Sequence, residues 1–316
     1  MSRVRVAVVG AGQWGSNHIR VIQASPRAEL SAVVDLDAAR AGAHGCAGLT
    51  DWRELPGKVD AAIVATPAVT HGEIGCGLLE AGIDVLMEKP IAPDLPTAAR
   101  LQETAENHGR VLQVGHLERH NPAVTALRQA VTIPLFFEIH RLSIFAPRSL
   151  DVDVVLDLMI HDLDLVLVLT GMMPEEVRAA GVRILSEKVD IAQVRLAFSN
   201  GCIANLTASR ASTEKVRKMR LFQPGQYLSI DYGRQDGVAV SVGAERQIGF
   251  RPLAVTKGEP LTLQFDAFLD AVEHRTQPLV TAAQASRALA VALDVIAKIE
   301  EHGTLVRQTL AGFRTP

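Results

Sequence analysis

The segment VRVAVVGAGQWGSNH at 4–18 constrains the fold more than any other stretch of this chain. Val4 to Val9 alternates and then runs apolar, as a strand buried on both faces does. Gly10-Ala11-Gly12-Gln13-Trp14-Gly15 follows at once, and Gln13 to Ala24 reads as the next helix. Strand, glycine turn and helix repeat as a rhythm. Glu29–Val34, Ala61–Ala65, Val85–Met87 and Val111–Val114 read as strands. Asp37–His44, His71–Glu80 and Thr97–Asn107 read as the helices between them. Short connections and alternation predict a doubly wound parallel sheet over residues 1–117.

Each glycine of the turn has a job in such a setting. Gly10 permits the tight turn, Gly12 lets a pyrophosphate approach the backbone, and Gly15 lets the helix pack closely on the strand. The first helical N–H groups, near Gln13 and Trp14, then meet the phosphates. Asp35 closes the second strand 20 residues past Gly15. Its carboxylate there accepts hydrogen bonds from both adenosine ribose hydroxyls and repels a 2′-phosphate. The expected cofactor is therefore NAD rather than NADP, held in a Rossmann domain.

Beyond residue 118 the rhythm changes. Leu135–Leu142 reads as a strand and Asp153–Leu169 as a long helix stopped by Gly171. Strand-like runs from Glu176 to Val242 are punctuated by turn signals at Asn200-Gly201 and Pro224-Gly225. Helices at Leu263–Glu273 and Ala282–Glu300 close the chain. An α+β domain with an open, mainly antiparallel sheet fits residues 118–316.

Bulk properties exclude several classes. A chain of 316 residues is long for one core. A net charge of -3 offers no long-range attraction to nucleic acid or acidic membranes. Cys46, Cys76 and Cys202 lack metal-ligand spacing and form no disulfide framework. No stretch has the roughly 20 uncharged apolar residues of a membrane span, and the start lacks the order of a signal peptide. A cytoplasmic location is expected.

The run VVLDLMIHDLDLVL, Val154 to Leu167, plants acids and a histidine in a greasy segment. Asp157, His161 and Asp164 follow i, i+4, i+7, so an α-helix lines them along one side. A buried ionised acid costs several kcal/mol unless paired, so the stripe needs a wet cleft or a partner. An internal Asp–His pair is the plain structural alternative.

The pieces GAGQWGSNH (10–18), VVDLD (33–37), DAAIVATPAVTH (60–71), EKP (88–90) and LDLMIHDLDLV (156–166) occur in an order that resembles the glucose-fructose oxidoreductase / inositol dehydrogenase / rhizopine catabolism family. The resemblance implies a Rossmann domain, a second domain whose sheet often forms subunit interfaces, and NAD(P)-dependent oxidation of sugars or cyclitols by homodimers or homotetramers. It places the family's catalytic lysine on Lys89 and its catalytic-helix pair on Asp157 and His161. Met159 stands where the family usually has glycine. GHLERHNPAV (115–124) and EIHRLSIFAPRSLDVDVVLDLMIHD (138–162) are similar to the nucleotide-sugar branch, the UDP-N-acetylglucosamine 3-dehydrogenases.

In that frame His161, with an ordinary pKa of about 6.5, would take the hydroxyl proton as hydride leaves carbon. Lys89, after a short strand at the ligand-binding edge, would hydrogen-bond the same oxygen and stabilise alkoxide charge. Asp157 would orient the imidazole or hold a neighbouring hydroxyl. Thr66, Pro67, His71, Glu88 and Lys89 are candidates for the cofactor's edge. Arg119, Arg141 and Arg148 are candidates for a diphosphate, with Arg210, Arg217 and Arg220 a second set, because Arg pairs bidentately with phosphate. No metal is expected. A free sugar or inositol dehydrogenase, and a non-catalytic dinucleotide-binding sensor or assembly protein, are the alternatives.

Overall fold

The computed structural model describes residues 3–145, 152–243 and 247–312. They form two compact units. The first contains Met1–His120 and Gly258–Ser286, the second Asn121–Lys257 and Arg287–Pro316.

In the first unit, β1 (Val4–Val9), β2 (Ala28–Val34), β3 (Ala47–Leu49), β4 (Ala61–Val64), β5 (Asp84–Met87) and β6 (Leu112–Val114) build one sheet. All neighbours run parallel in the order β3-β2-β1-β4-β5-β6. Helices α1 (Gln13–Ala24), α2 (Ala38–Ala41), α3 (Ala68–Glu80) and α4 (Leu95–Asn107) supply the connections. Strand order reverses between β1 and β4, and ligands bind at such a switch point beyond the carboxyl ends of the strands. The loops after β1, β4 and β5 carry Gly10–Gly15, Thr66-Pro67 and Glu88–Pro90 to that edge.

The second unit opens with α5 (Pro122–Ala130) and β7 (Phe136–Ile144). Its catalytic-helix candidate departs from the single α-helix expected over Asp153–Leu169. A π turn covers Val155–Met159, with the Ile160 N–H reaching back five residues to the Val155 carbonyl, and α6 (Ile160–Thr170) follows. Gly171, at φ 71°, ends it in the left-handed conformation that glycine adopts without penalty.

Strands β8 (Glu176–Val182), β9 (Ile191–Ala197), β10 (Ile203–Ser212), β11 (Val216–Gln223), β12 (Gln226–Asp231), β13 (Asp236–Val242) and β14 (Ile248–Pro252) complete an eight-stranded sheet. Its order is β14-β13-β12-β11-β7-β10-β9-β8, and β7 with β10 is the parallel pair in an otherwise antiparallel ladder. The expected turns are present. Asn200-Gly201 joins β9 to β10, and Pro224-Gly225 joins β11 to β12. Phe137, Ile139, Leu206 and Leu221 of the sheet share a core with Ile160, Leu163 and Val166 of α6.

The chain then departs from the continuous second domain expected at 118–316. Helix α7 (Pro260–His274) belongs to the first unit. Its Leu261, Phe265, Phe268 and Leu269 share a core with Val6, Val8 and Ile22. Burying each such side chain contributes roughly 1.5–3 kcal/mol. Helical periodicity in the sequence marks that face as apolar without saying which sheet receives it. Helix α8 (Ala282–Gly312) starts within the first unit and continues in the second, where Val291, Val295 and Ile299 join the core.

Candidate active site

The glycine turn is built as its sequence implies. Gly10 sits at φ 94°, and a Cβ on it would lie 2.8 Å from the Ala65 carbonyl oxygen. A Cβ on Gly15 would lie only 1.8 Å from the Gly10 carbonyl oxygen, so the helix start rests on the turn itself. Gly12 differs. A Cβ there would meet nothing within 4 Å, and no side chain caps the N-terminus of α1. The cradle is open where a phosphate would accept helix N–H groups, so these residues fit a dinucleotide. Gln13 and Trp14 are exposed beside it.

Asp35 holds the same turn from the side. Its Oδ2 accepts the Ala11 N–H at 2.8 Å and its Oδ1 the Asp37 N–H at 2.9 Å. Each carboxylate oxygen has a second lone pair to offer a ribose hydroxyl. Thr66 is half-buried and Pro67 exposed after β4.

His71 and Glu88 are more enclosed than a cofactor contact requires. The His71 ring is 1% exposed. Its Nδ1 lies 3.0 Å from the Pro90 carbonyl and 3.3 Å from that of Ile91, while Nε2 lies 2.9 Å from the Thr66 carbonyl. Burial pushes its pKa down, against the pull of the Thr66, Pro90 and Ile91 carbonyls. The ring thus braces the turn after β4 against the turn after β5. Glu88, 8% exposed, pairs with His18, whose Nε2 donates to its Oε1 at 2.7 Å. Burial works against the Glu88 charge, yet the hydrogen bond from His18 and attraction to His18 and Lys89 hold its carboxyl below the usual range. Lys89 itself is half-buried, ahead of a cis peptide bond to Pro90.

In the second unit, Asp157 lies in the π turn and His161 one residue into α6, both half-buried, while Asp164 is buried at 2% exposure. The wider π turn therefore breaks the even stripe that uniform α-helical spacing predicts. Such turns often occur at functional sites. Asp162, the acid off the stripe, forms a bidentate pair with Arg141 at 2.6 and 2.8 Å.

The arginines divide by partner. The buried fork of Arg141 is engaged by Asp162, and its guanidinium carbon lies 5.2 Å from the Tyr232 ring centre. Arg210 pairs with Asp190 at 3.2 Å and donates to the Val189 carbonyl at 2.9 Å. Both of these diphosphate candidates have buried acidic partners inside the fold. Arg220 pairs with Glu138 at 3.0 Å. Arg217 is half-buried on β11. Arg119 is 2% exposed and donates to Gln284 Oε1 at 3.2 Å. Arg148 lies outside the described residues.

His18, the last residue of the GAGQWGSNH segment, gains its partner Glu88 only in the fold. A lone histidine beside Ile19, Val21 and Ile22 on an amphipathic helix carries no signal until its partner is known.

Residues 4–116 match the oxidoreductase family with an NAD-binding Rossmann fold, and residues 136–223 match the GFO/IDH/MocA C-terminal domain. The chain is 35% identical to UDP-N-acetylglucosamine 3-dehydrogenase of Acidithiobacillus ferrooxidans over 95% of its own length and 98% of that protein's. It belongs to the GFO/IDH/MocA oxidoreductase family. The solved structure of the same Acidithiobacillus enzyme superposes with a TM-score of 0.89, covering 96% of this chain and 99% of the other. Inositol 2-dehydrogenase of an Arthrobacter strain is 33% identical over 57% of each chain. Myo-inositol 2-dehydrogenase of Lactobacillus plantarum, at 19% identity, shares the fold with a TM-score of 0.79 over 95% of this chain and 98% of its own. The protein is an NAD-dependent oxidoreductase acting on CH–OH groups. No described helix is long and apolar enough to cross a membrane.

Proposed function

We propose that the protein oxidises a secondary hydroxyl of UDP-N-acetylglucosamine. The near full-length match to a UDP-N-acetylglucosamine 3-dehydrogenase carries this reading. Matches to inositol dehydrogenases cover little more than half of the chain, so a free sugar or inositol dehydrogenase is the second reading.

Bound NAD supplies the hydride acceptor. Gly10, Gly12, Gln13, Trp14 and Gly15 would cradle its pyrophosphate and Asp35 would hold its adenosine ribose, with Thr66 and Pro67 also lining the cofactor site. His71 and Glu88 would support these turns through their contacts with Thr66, Pro90 and Lys89. The residues then divide the proton chemistry. Lys89 donates a hydrogen bond to the reacting oxygen and offsets its growing negative charge. His161 takes the hydroxyl proton, and Asp157 orients the imidazole or holds an adjacent hydroxyl. With Arg141 and Arg210 engaged internally, Arg119 and Arg148 are the arginines proposed for the diphosphate.

The protein acts in the cytoplasm, as a homodimer or homotetramer whose subunits meet through the second unit's sheet. Exposed Phe222, Ile248 and Phe250 on that sheet support such a contact.

The test offers UDP-N-acetylglucosamine, free hexoses and myo-inositol with NAD and follows NADH absorbance. Turnover of the nucleotide sugar is expected. Turnover of the free compounds alone would replace the first reading with the second.

A further inference from the structure

His18 lies on α1 one turn beyond Gly15, at 1% exposure, and meets Glu88 from the turn after β5. A carboxylate only accepts, so His18 Nε2 is the donor in their 2.7 Å contact. The other oxygen, Glu88 Oε2, accepts the backbone N–H of Lys89 at 3.2 Å. A Cβ on Gly115 would lie 3.0 Å from Oε2, so glycine after β6 gives the carboxylate its space. Backbone bonds from Glu88 N–H to Val64 O at 2.9 Å and from Gly115 N–H to Met87 O at 2.7 Å fix the surrounding segments. An apolar pair of similar volume would fill this space with less desolvation. A buried carboxylate here calls for a role that an apolar filler cannot perform.

We propose that His18 and Glu88 form a positioning pair that fixes the backbone of Lys89, and so the reach of its amine, relative to the glycine turn. The proposal rests on Lys89 acting on the reacting oxygen. His18 holds Glu88, Glu88 holds the Lys89 N–H, and α1 begins at the phosphate cradle. The helix that receives the cofactor thereby sets the place from which Lys89 works. Neither His18 nor Glu88 touches the substrate.

The test measures kcat, KM and NADH affinity for His18→Leu, His18→Gln and Glu88→Gln, each in the wild-type and Lys89→Ala backgrounds. The sugar substrate with the highest turnover is used. His18→Leu and Glu88→Gln are expected to lower kcat about 10-fold or more, with NADH affinity within about threefold. His18→Gln, which can still present an N–H to Glu88, is expected to recover most of kcat. In the Lys89→Ala background His18→Leu should add less than about a twofold loss, because a pair acting through Lys89 has nothing left to position. An unchanged kcat in both pair variants overturns the proposal. So does an equal loss in the two backgrounds, the mark of general structural damage. A normal kcat in Lys89→Ala alone would instead remove the role given to Lys89, and the pair's role with it.

Discussion

Arg141 and Asp162 face each other across two hydrogen bonds of 2.6 and 2.8 Å, with both side chains about 2% exposed. The pair ties α6, one residue beyond His161, to β7. Removing one partner leaves an uncompensated buried charge. Arg141→Met or Asp162→Leu alone should destabilise the protein by about 3–5 kcal/mol, and the double replacement by much less. Urea denaturation of the three variants checks this. Additive losses would show that the pair is not a unit.

The glycine turn separates folding from binding. Gly15→Ala puts a Cβ 1.8 Å from the Gly10 carbonyl oxygen, so it should lower both stability and NADH affinity. Gly12→Ala meets nothing in the protein. Its melting temperature should hold while NADH affinity falls roughly tenfold or more, equivalent to about 1.4 kcal/mol or more. Calorimetry and fluorescence titration distinguish the two. Tight NADH binding by Gly12→Ala would remove the phosphate from this cradle.

The role proposed for Asp35 is to set cofactor choice through its charge. Asp35→Ala should narrow the preference for NAD over NADP by about tenfold or more in kcat/KM. Unchanged discrimination would place selectivity elsewhere. The variant also loses the bonds to the Ala11 and Asp37 N–H groups, so affinity for both cofactors should weaken.

Asp190 makes part of the fold acid-sensitive. Burial would raise its pKa, but N–H groups of Ile184, Leu185 and Ser186 and the Ser186 hydroxyl lower it from 3.8 to about 2. A depressed carboxylate stabilises the folded state fully above its unfolded pKa, and that stability is lost as pH falls from about 4 towards about 2. The advantage of wild type over Asp190→Asn should shrink by about 1–2 kcal/mol across that window. Denaturant midpoints at stepped pH measure it, and a constant gap would refute the assignment.

Local order explains what the sequence reveals. The buried strands β1, β4 and β5, the Gly10–Gly15 turn and the Asn200-Gly201 hairpin each carry their own periodicity or turn chemistry. Lys89, Asp157 and His161 stand out through the family resemblance. Long-range pairing was less legible. Arg141 and Arg210 look like anion-binding groups until Asp162 and Asp190 are brought to them. His18 looks like a helix residue until Glu88 arrives from 70 positions away. The apolar face of α7 signals burial without naming its core, and the Val155–Met159 π turn leaves no mark in a run otherwise suited to an α-helix.

Proton transfer to His161 is the central step of the proposed reaction. Hydride transfer from UDP-N-acetylglucosamine to NAD, followed as NADH absorbance in His161→Ala, tests it most directly. A fall in kcat of about 10²–10⁴-fold with little change in NAD affinity is the predicted result. A near-normal kcat would contradict it and shift the proton transfer to Lys89 or Asp157.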